Sequence, residues 1–182
     1  PKNELRDAEK HVNANLKIAI GVAKKNIWKF HEAQKQPPLT VETMPGITCK
    51  RKSVPIRNVG LYIPGGTSPL FSTVLMLGIP AVIAGCKKIT IASPTNKMGK
   101  INPAVLYAAH TLGIDSVLKL GGAQAIAALA YGSETIPKVD KIFGPGNQYV
   151  TTAKQLLSKE VSIDMPAGPS EVMVIADEES KA

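Results

Sequence analysis

Cysteine is scarce in this chain: Cys49 and Cys86 are the only two, and neither adjoins a histidine or an acid. That excludes a disulfide framework and a cysteine-rich metal knuckle, and it fits a reducing compartment. Aromatic residues make up 4% and are not interleaved with the basic ones, as a stacking surface for nucleic acid would require. No apolar run approaches the length of a membrane span, and the start has no signal-peptide pattern. No G-x-G-x-x-G or Walker loop, no Ser/His/Asp order and no paired acid and base can be found, so none of those mechanisms follows by pattern. The three histidines are dispersed: His11 and His31 fall on one helical element and His110 late in another, where a cation suits the helix dipole. Cys86, in a helix-to-strand turn, reads as a small packing thiol rather than a nucleophile.

Against these absences stands an ordinary globular composition, 44% hydrophobic and 20% charged over 182 residues, enough for one domain or a domain with an appendage. The net charge of +8 comes from 22 basic and 14 acidic residues. The basic ones gather in short groups (Lys24-Lys25, Lys50-Arg51-Lys52, Lys87-Lys88), the pattern of a solvated surface and not of a nucleic-acid interface. The chain opens on Pro-Lys-Asn without methionine and closes directly after an apolar run, from which a fragment of a longer protein is expected.

The informative stretch is Gly60–Leu70. Val59–Ile63 reads as a buried strand, Pro64-Gly65-Gly66 breaks it, and Thr67 or Ser68 is placed to cap a helix with Pro69 in its first turn. The same order recurs twice: Val117–Leu120, Gly121-Gly122 and a helix from near Gln124; then Lys141–Phe143, Gly144-Pro-Gly-Asn147 and a helix from about Gln148. Three strand–glycine turn–helix units predict a doubly wound, mostly parallel α/β sheet, with all three turns at its carboxyl edge. Glycines before a helix start let a ligand approach unpaired backbone N–H groups. Tyr62, Gln124 and Asn147 are therefore the first candidates for ligand contact.

Before that sheet, an apolar stripe from Leu5 to Phe30 predicts one helix over Asn3–Ala33, bent near Gly21, packing either on its own domain or on a partner subunit. Leu39–Arg57 reads as short β pieces about the turn Met44-Pro-Gly46, with Ile47–Arg51 as a hairpin strand. The Pro69 helix is expected to stop at Gly78, with Pro80 opening a second one through Ala84 that Gly85 caps. Lys88–Ala92 is the next strand, Thr95–Ile101 a polar, basic loop, and Asn102-Pro103 opens a helix through Leu112. Val161–Asp164 and Glu171–Asp177 read as two last strands about the turn Met165–Ser170. The expected division is an N-terminal helix and hairpin segment, residues 1–56, and a sheet domain, residues 57–182.

Five blocks go further than pattern: Gly60–Gly66 with Pro69–Met76, Gly85-Cys-Lys87, Gly121–Ala127, Val139–Asn147 and Ile163–Glu171. In order they cover most of Arg57–Asp177, and they resemble the histidinol dehydrogenase family. The resemblance implies a Rossmann-like NAD-side domain of a zinc-requiring enzyme that oxidises L-histidinol to L-histidine with two NAD, the last step of histidine biosynthesis. It implies NAD contacts at Tyr62, Gln124 and Asn147, a substrate contact at Ser170, and a cytoplasmic homodimer with no nucleic-acid or membrane partner. Tyr62 either packs on a cofactor ring or fills the sheet edge. The family's zinc ligands and catalytic base lie in motifs absent from these residues, so no catalytic or metal-binding residue is assigned and the chain alone is expected to be inactive. Thr95–Pro103 and Gln148-Tyr149 are similar to fungal-type members, in which this part is fused to other histidine-pathway activities. The competing readings are a stand-alone nucleotide-binding module and a basic nucleic-acid-binding domain.

Overall fold

The computed structural model describes residues 2–65, 70–166 and 171–180. Its centre is a five-stranded parallel sheet: β3 (Asn58–Tyr62), β4 (Lys88–Ser93), β5 (Ser116–Lys119), β6 (Lys141–Phe143) and β7 (Ser162–Ile163), in the spatial order β5-β4-β3-β6-β7. The chain winds outward from β3 to β4 and β5, then crosses back to the other side of β3 for β6 and β7. That reversal makes the gap between β3 and β6 the topological switch point, where open α/β sheets leave a crevice at the strands' carboxyl ends.

The two faces follow from the period of two along each strand. Val59, Leu61 and Ile63, with Ile91 of β4, enter one core; Tyr62, Ala92 and Ile142 enter the other. The first is covered by α3 (Phe71–Ala84) and α4 (Pro103–Thr111), the second by α5 (Gly122–Tyr131) and α6 (Gln148–Leu156). Helices on both faces of a parallel sheet are the doubly wound architecture expected from the sequence.

The N-terminal stripe does not form one helix. α1 (Lys2–Asp7) runs into a 3-10 turn, Ala8–His11, and the chain is extended at Val12 before α2 (Ala14–Ala33). Asn13 accounts for the restart: its Oδ1 accepts from the Leu16 N–H at 2.8 Å, capping a new helix. Gly21 lies inside α2, not at a bend. Leu5, Ala8 and Ile20 join the first core, and α2 packs on α3, so this element packs within its own chain. The hairpin β1 (Leu39–Met44) and β2 (Ile47–Arg51) is antiparallel and exposed along both strands, turning at Gly46 with φ 80°.

Two other expectations are corrected. α3 is a single helix that passes through Gly78 and contains Pro80. Gly78 is there for close approach, not termination: a Cβ would meet Leu112 Cδ1 at 2.7 Å. Full burial of Val74, Leu75 and Ile79 holds the helix together across the hydrogen bond that Pro80 lacks. The helix is entered from Leu70, which gives no side-chain cap; the expected caps Thr67 and Ser68, and Pro69, lie outside the described residues. Glu171–Asp177 forms no strand, because no sheet edge among the described residues pairs with it, and Val172–Ile175 are 81–88% exposed.

Candidate functional site

All five strands run parallel, so the glycine turns after β3, β5 and β6 share one edge, and they touch. β3 ends on Tyr62, which is 4% exposed. Its hydroxyl accepts a hydrogen bond from the Gly122 N–H at 3.0 Å, joining the first turn to the start of α5. Gly144, with φ 127°, lies so close to the Tyr62 carbonyl that a Cβ would collide with it, which joins the third turn to the first. Pro94, just after β4, is held between Gly65 and Gly121; a Cβ on Gly121 would reach Pro94 Cβ at 2.5 Å. Each of these glycines permits a backbone approach that a side chain would block.

Gln124 and Asn147 are both exposed at this edge. Asn147 caps α6, its Oδ1 accepting from the Val150 N–H at 3.1 Å. The amide nitrogen makes no hydrogen bond among the described residues, so this side chain holds the helix with one atom and has a donor to spare. Gln124 lies two residues inside α5, which starts at Gly122, earlier than its sequence suggested. Its amide group folds back over Gly122, where a Cβ would meet Oε1 at 2.8 Å. Ser170 lies outside the described residues.

A cavity of about 630 Å3 opens beside these turns, lined among others by Pro64, Gly65, Ser93, Pro94 and Asn102. Its rim is the Thr95–Ile101 loop, drawn together by Asn96, whose Oδ1 accepts from the N–H groups of Met98 and Lys100 at 2.9 and 3.0 Å. Asn102 caps α4 at the cavity wall, accepting from the Ala104 N–H at 2.9 Å.

One pair at this edge escaped the sequence reading. Lys154 of α6 is 6% exposed, donates to the Gly144 carbonyl at 2.9 Å and forms an ion pair with Asp164. The other oxygen of Asp164 accepts from the Gly144 N–H at 2.8 Å. The signal was present: Val150, Lys154 and Leu157 step by four and three along one helical face, so this lysine belongs to the inward stripe.

The residues fit an anionic dinucleotide better than a metal. Two exposed side-chain amides beside the starts of α5 and α6 offer neutral donors and acceptors, while the glycines between them are closed against Pro94, Tyr62 and Gln124. Among the described residues, no three His, Cys, Asp or Glu side chains come together where a metal ion could be held, so these residues do not fit zinc. Among the described residues, no helix is long and apolar enough to cross a membrane.

Fold and edge together define a doubly wound α/β protein with its glycine turns gathered at the switch point, the class that takes ligands at the strands' carboxyl ends. The family model described as histidinol dehydrogenase matches residues 1–182. The chain belongs to the histidinol dehydrogenase family. It is 62% identical over 176 residues to a histidinol dehydrogenase of Bacteroides fragilis (strain YCH46), covering 96% of this chain and 41% of that protein. Against the Escherichia coli (strain K12) histidinol dehydrogenase it is 56% identical over 177 residues, covering 96% of this chain and 40% of the relative. The crystal structure of histidinol dehydrogenase from Elizabethkingia anophelis superposes with a TM-score of 0.90 at 55% identity, over 93% of this chain and 40% of that one. The chain thus spans about 41% of the length of the curated relatives it matches.

Proposed function

We propose that this chain forms the NAD-binding edge of an enzyme that oxidises L-histidinol to L-histidine with two NAD, completing histidine biosynthesis. The observation that carries this reading is the meeting of three glycine turns at the β3/β6 switch point in a chain of this family. NAD, when bound, accepts the hydride in each oxidation. The chain's part is to bind and orient. Gln124 and the amide nitrogen of Asn147, which has no hydrogen bond among the described residues, give neutral donors and an acceptor suited to ribose hydroxyls or phosphate oxygens. Tyr62, fixed by its bond to Gly122, sets the spacing between two turns rather than stacking in the open.

Ser170 is assigned to the substrate. Zinc belongs to the same reading, but these residues supply no site for it and no step is derived through it. Residues 57–182 make up the NAD-side domain, with 1–56 as its appendage; the working enzyme is a cytoplasmic homodimer acting on a small molecule, without nucleic-acid or membrane partners. The test is NADH formation from L-histidinol by the full-length protein, run beside residues 1–182 alone. Turnover by the full-length protein and none by 1–182 is expected. No turnover by the zinc-loaded full-length protein would overturn the reading.

A further inference from the structure

We propose that Lys154 and Asp164 are positioning residues for the cofactor edge: together they hold the Gly144 turn at the distance from Tyr62 that NAD needs. The proposal rests on the nucleotide reading above. Strand β6 ends at Phe143, so the backbone groups of Gly144 have left the ladder and need other partners. Asp164 takes the N–H at 2.8 Å and Lys154 the carbonyl at 2.9 Å, and the two charged groups meet each other. The Asp164 backbone is itself anchored, its N–H donating to the Ile142 carbonyl at 3.1 Å.

Lys154 is buried and Asp164 half-buried, and an ion pair so placed seldom adds net stability over apolar residues of the same volume, since desolvation offsets the attraction. Its gain here is directional. Each partner can satisfy one defined group of Gly144, which an apolar pair could not do. Through Gly144 the hold reaches the Tyr62 carbonyl, and through the Tyr62 hydroxyl it reaches Gly122. One unbroken series of contacts therefore sets the spacing of all three turns. Lys154 also stands on α6, whose first residues follow the Asn147 cap, so the same clamp fixes that helix start relative to β3.

The test uses the full-length protein carrying Asp164→Asn, Lys154→Met or both. The readouts are the dissociation constant for NAD by calorimetry, KM and kcat with L-histidinol, thermal stability, and hydrogen exchange at the Gly122 and Gly144 amides. Each single change is expected to weaken NAD binding and raise its KM by about tenfold or more, with kcat at saturating NAD much less affected. The double variant leaves neither charge unpaired, so its thermal stability returns toward wild type from that of the single variants, while NAD affinity stays low. A folded double variant with wild-type NAD affinity and wild-type exchange at both amides would overturn the proposal. If the wild-type protein itself binds no NAD, the nucleotide reading fails; faster exchange at Gly122 in the double variant would then still support the clamp, and unchanged exchange would remove it.

Discussion

The Tyr62 hydroxyl and the Gly122 N–H, 60 residues apart in sequence, meet at 3.0 Å. Their bond joins the end of the central strand to the first residue of the helix that follows β5. Because that N–H belongs to a helix's first turn, it has no partner within the helix. Tyr62→Phe is expected to cost about 0.5–1.5 kcal/mol by leaving it unpaired. Urea denaturation of the full-length protein checks this; an unchanged midpoint would show that the bond contributes nothing.

Asn147 has two separable tasks, the cap through Oδ1 and a proposed NAD contact through its amide nitrogen. Asn147→Asp keeps the cap and loses the donor, so stability should hold while KM for NAD rises several-fold. Asn147→Ala should raise KM similarly and also cost about 1 kcal/mol of stability. Equal NAD kinetics in wild type and Asn147→Asp would remove the contact.

Gln124 is exposed, so Gln124→Ala should change stability by no more than about 0.5 kcal/mol. Its KM for NAD should nevertheless rise several-fold, with zinc content unchanged. Normal NAD kinetics with diminished histidinol binding would move this residue to the substrate side.

Gly144 combines φ 127° with contact against the Tyr62 carbonyl. Gly144→Ala adds backbone strain and a collision that only displacement of the turn relieves, at an expected cost of about 3 kcal/mol or more. Thermal unfolding measures it. A melting temperature equal to wild type would mean that the turn has slack which the close contact denies.

Burial pushes the Cys86 thiol above its ordinary value, whereas Cys49 is exposed on the hairpin. The folded chain thus retains the Cys86 proton after the unfolded chain begins to lose its own, near pH 8.5. Its contribution to stability is intact below that pH and declines as pH rises through the folded value. Thiol-reagent labelling at mildly alkaline pH should modify Cys49 first; equal rates would show that the packing around Cys86 is open.

Much of the sheet could be read from the sequence because its signals are local. Lys141–Phe143 lies between a charged start and a Gly-Pro-Gly turn, and Gln148 follows an Asn that caps its helix, so both boundaries agree with the structure. What was misread depends on distant partners. Gly78 looks like a stop until Leu112 is seen against it, and the apolar stripe from Leu5 to Phe30 hides the cap at Asn13. The Glu171–Asp177 run has strand composition, but pairing is a property of two segments and none of the described strands adjoins it. At the candidate site, glycine turns disclosed the edge, while the Lys154–Asp164 clamp needed coordinates because its common partner, Gly144, is a backbone group.

The most direct measurement is a crystal structure of the full-length protein with NAD. The expected result is the nucleotide lying against Pro64-Gly65, Gly121–Gln124 and Gly144–Asn147, within hydrogen-bond distance of the Gln124 and Asn147 amides. NAD bound at the opposite edge of the sheet, or clear of all three turns, would contradict the account.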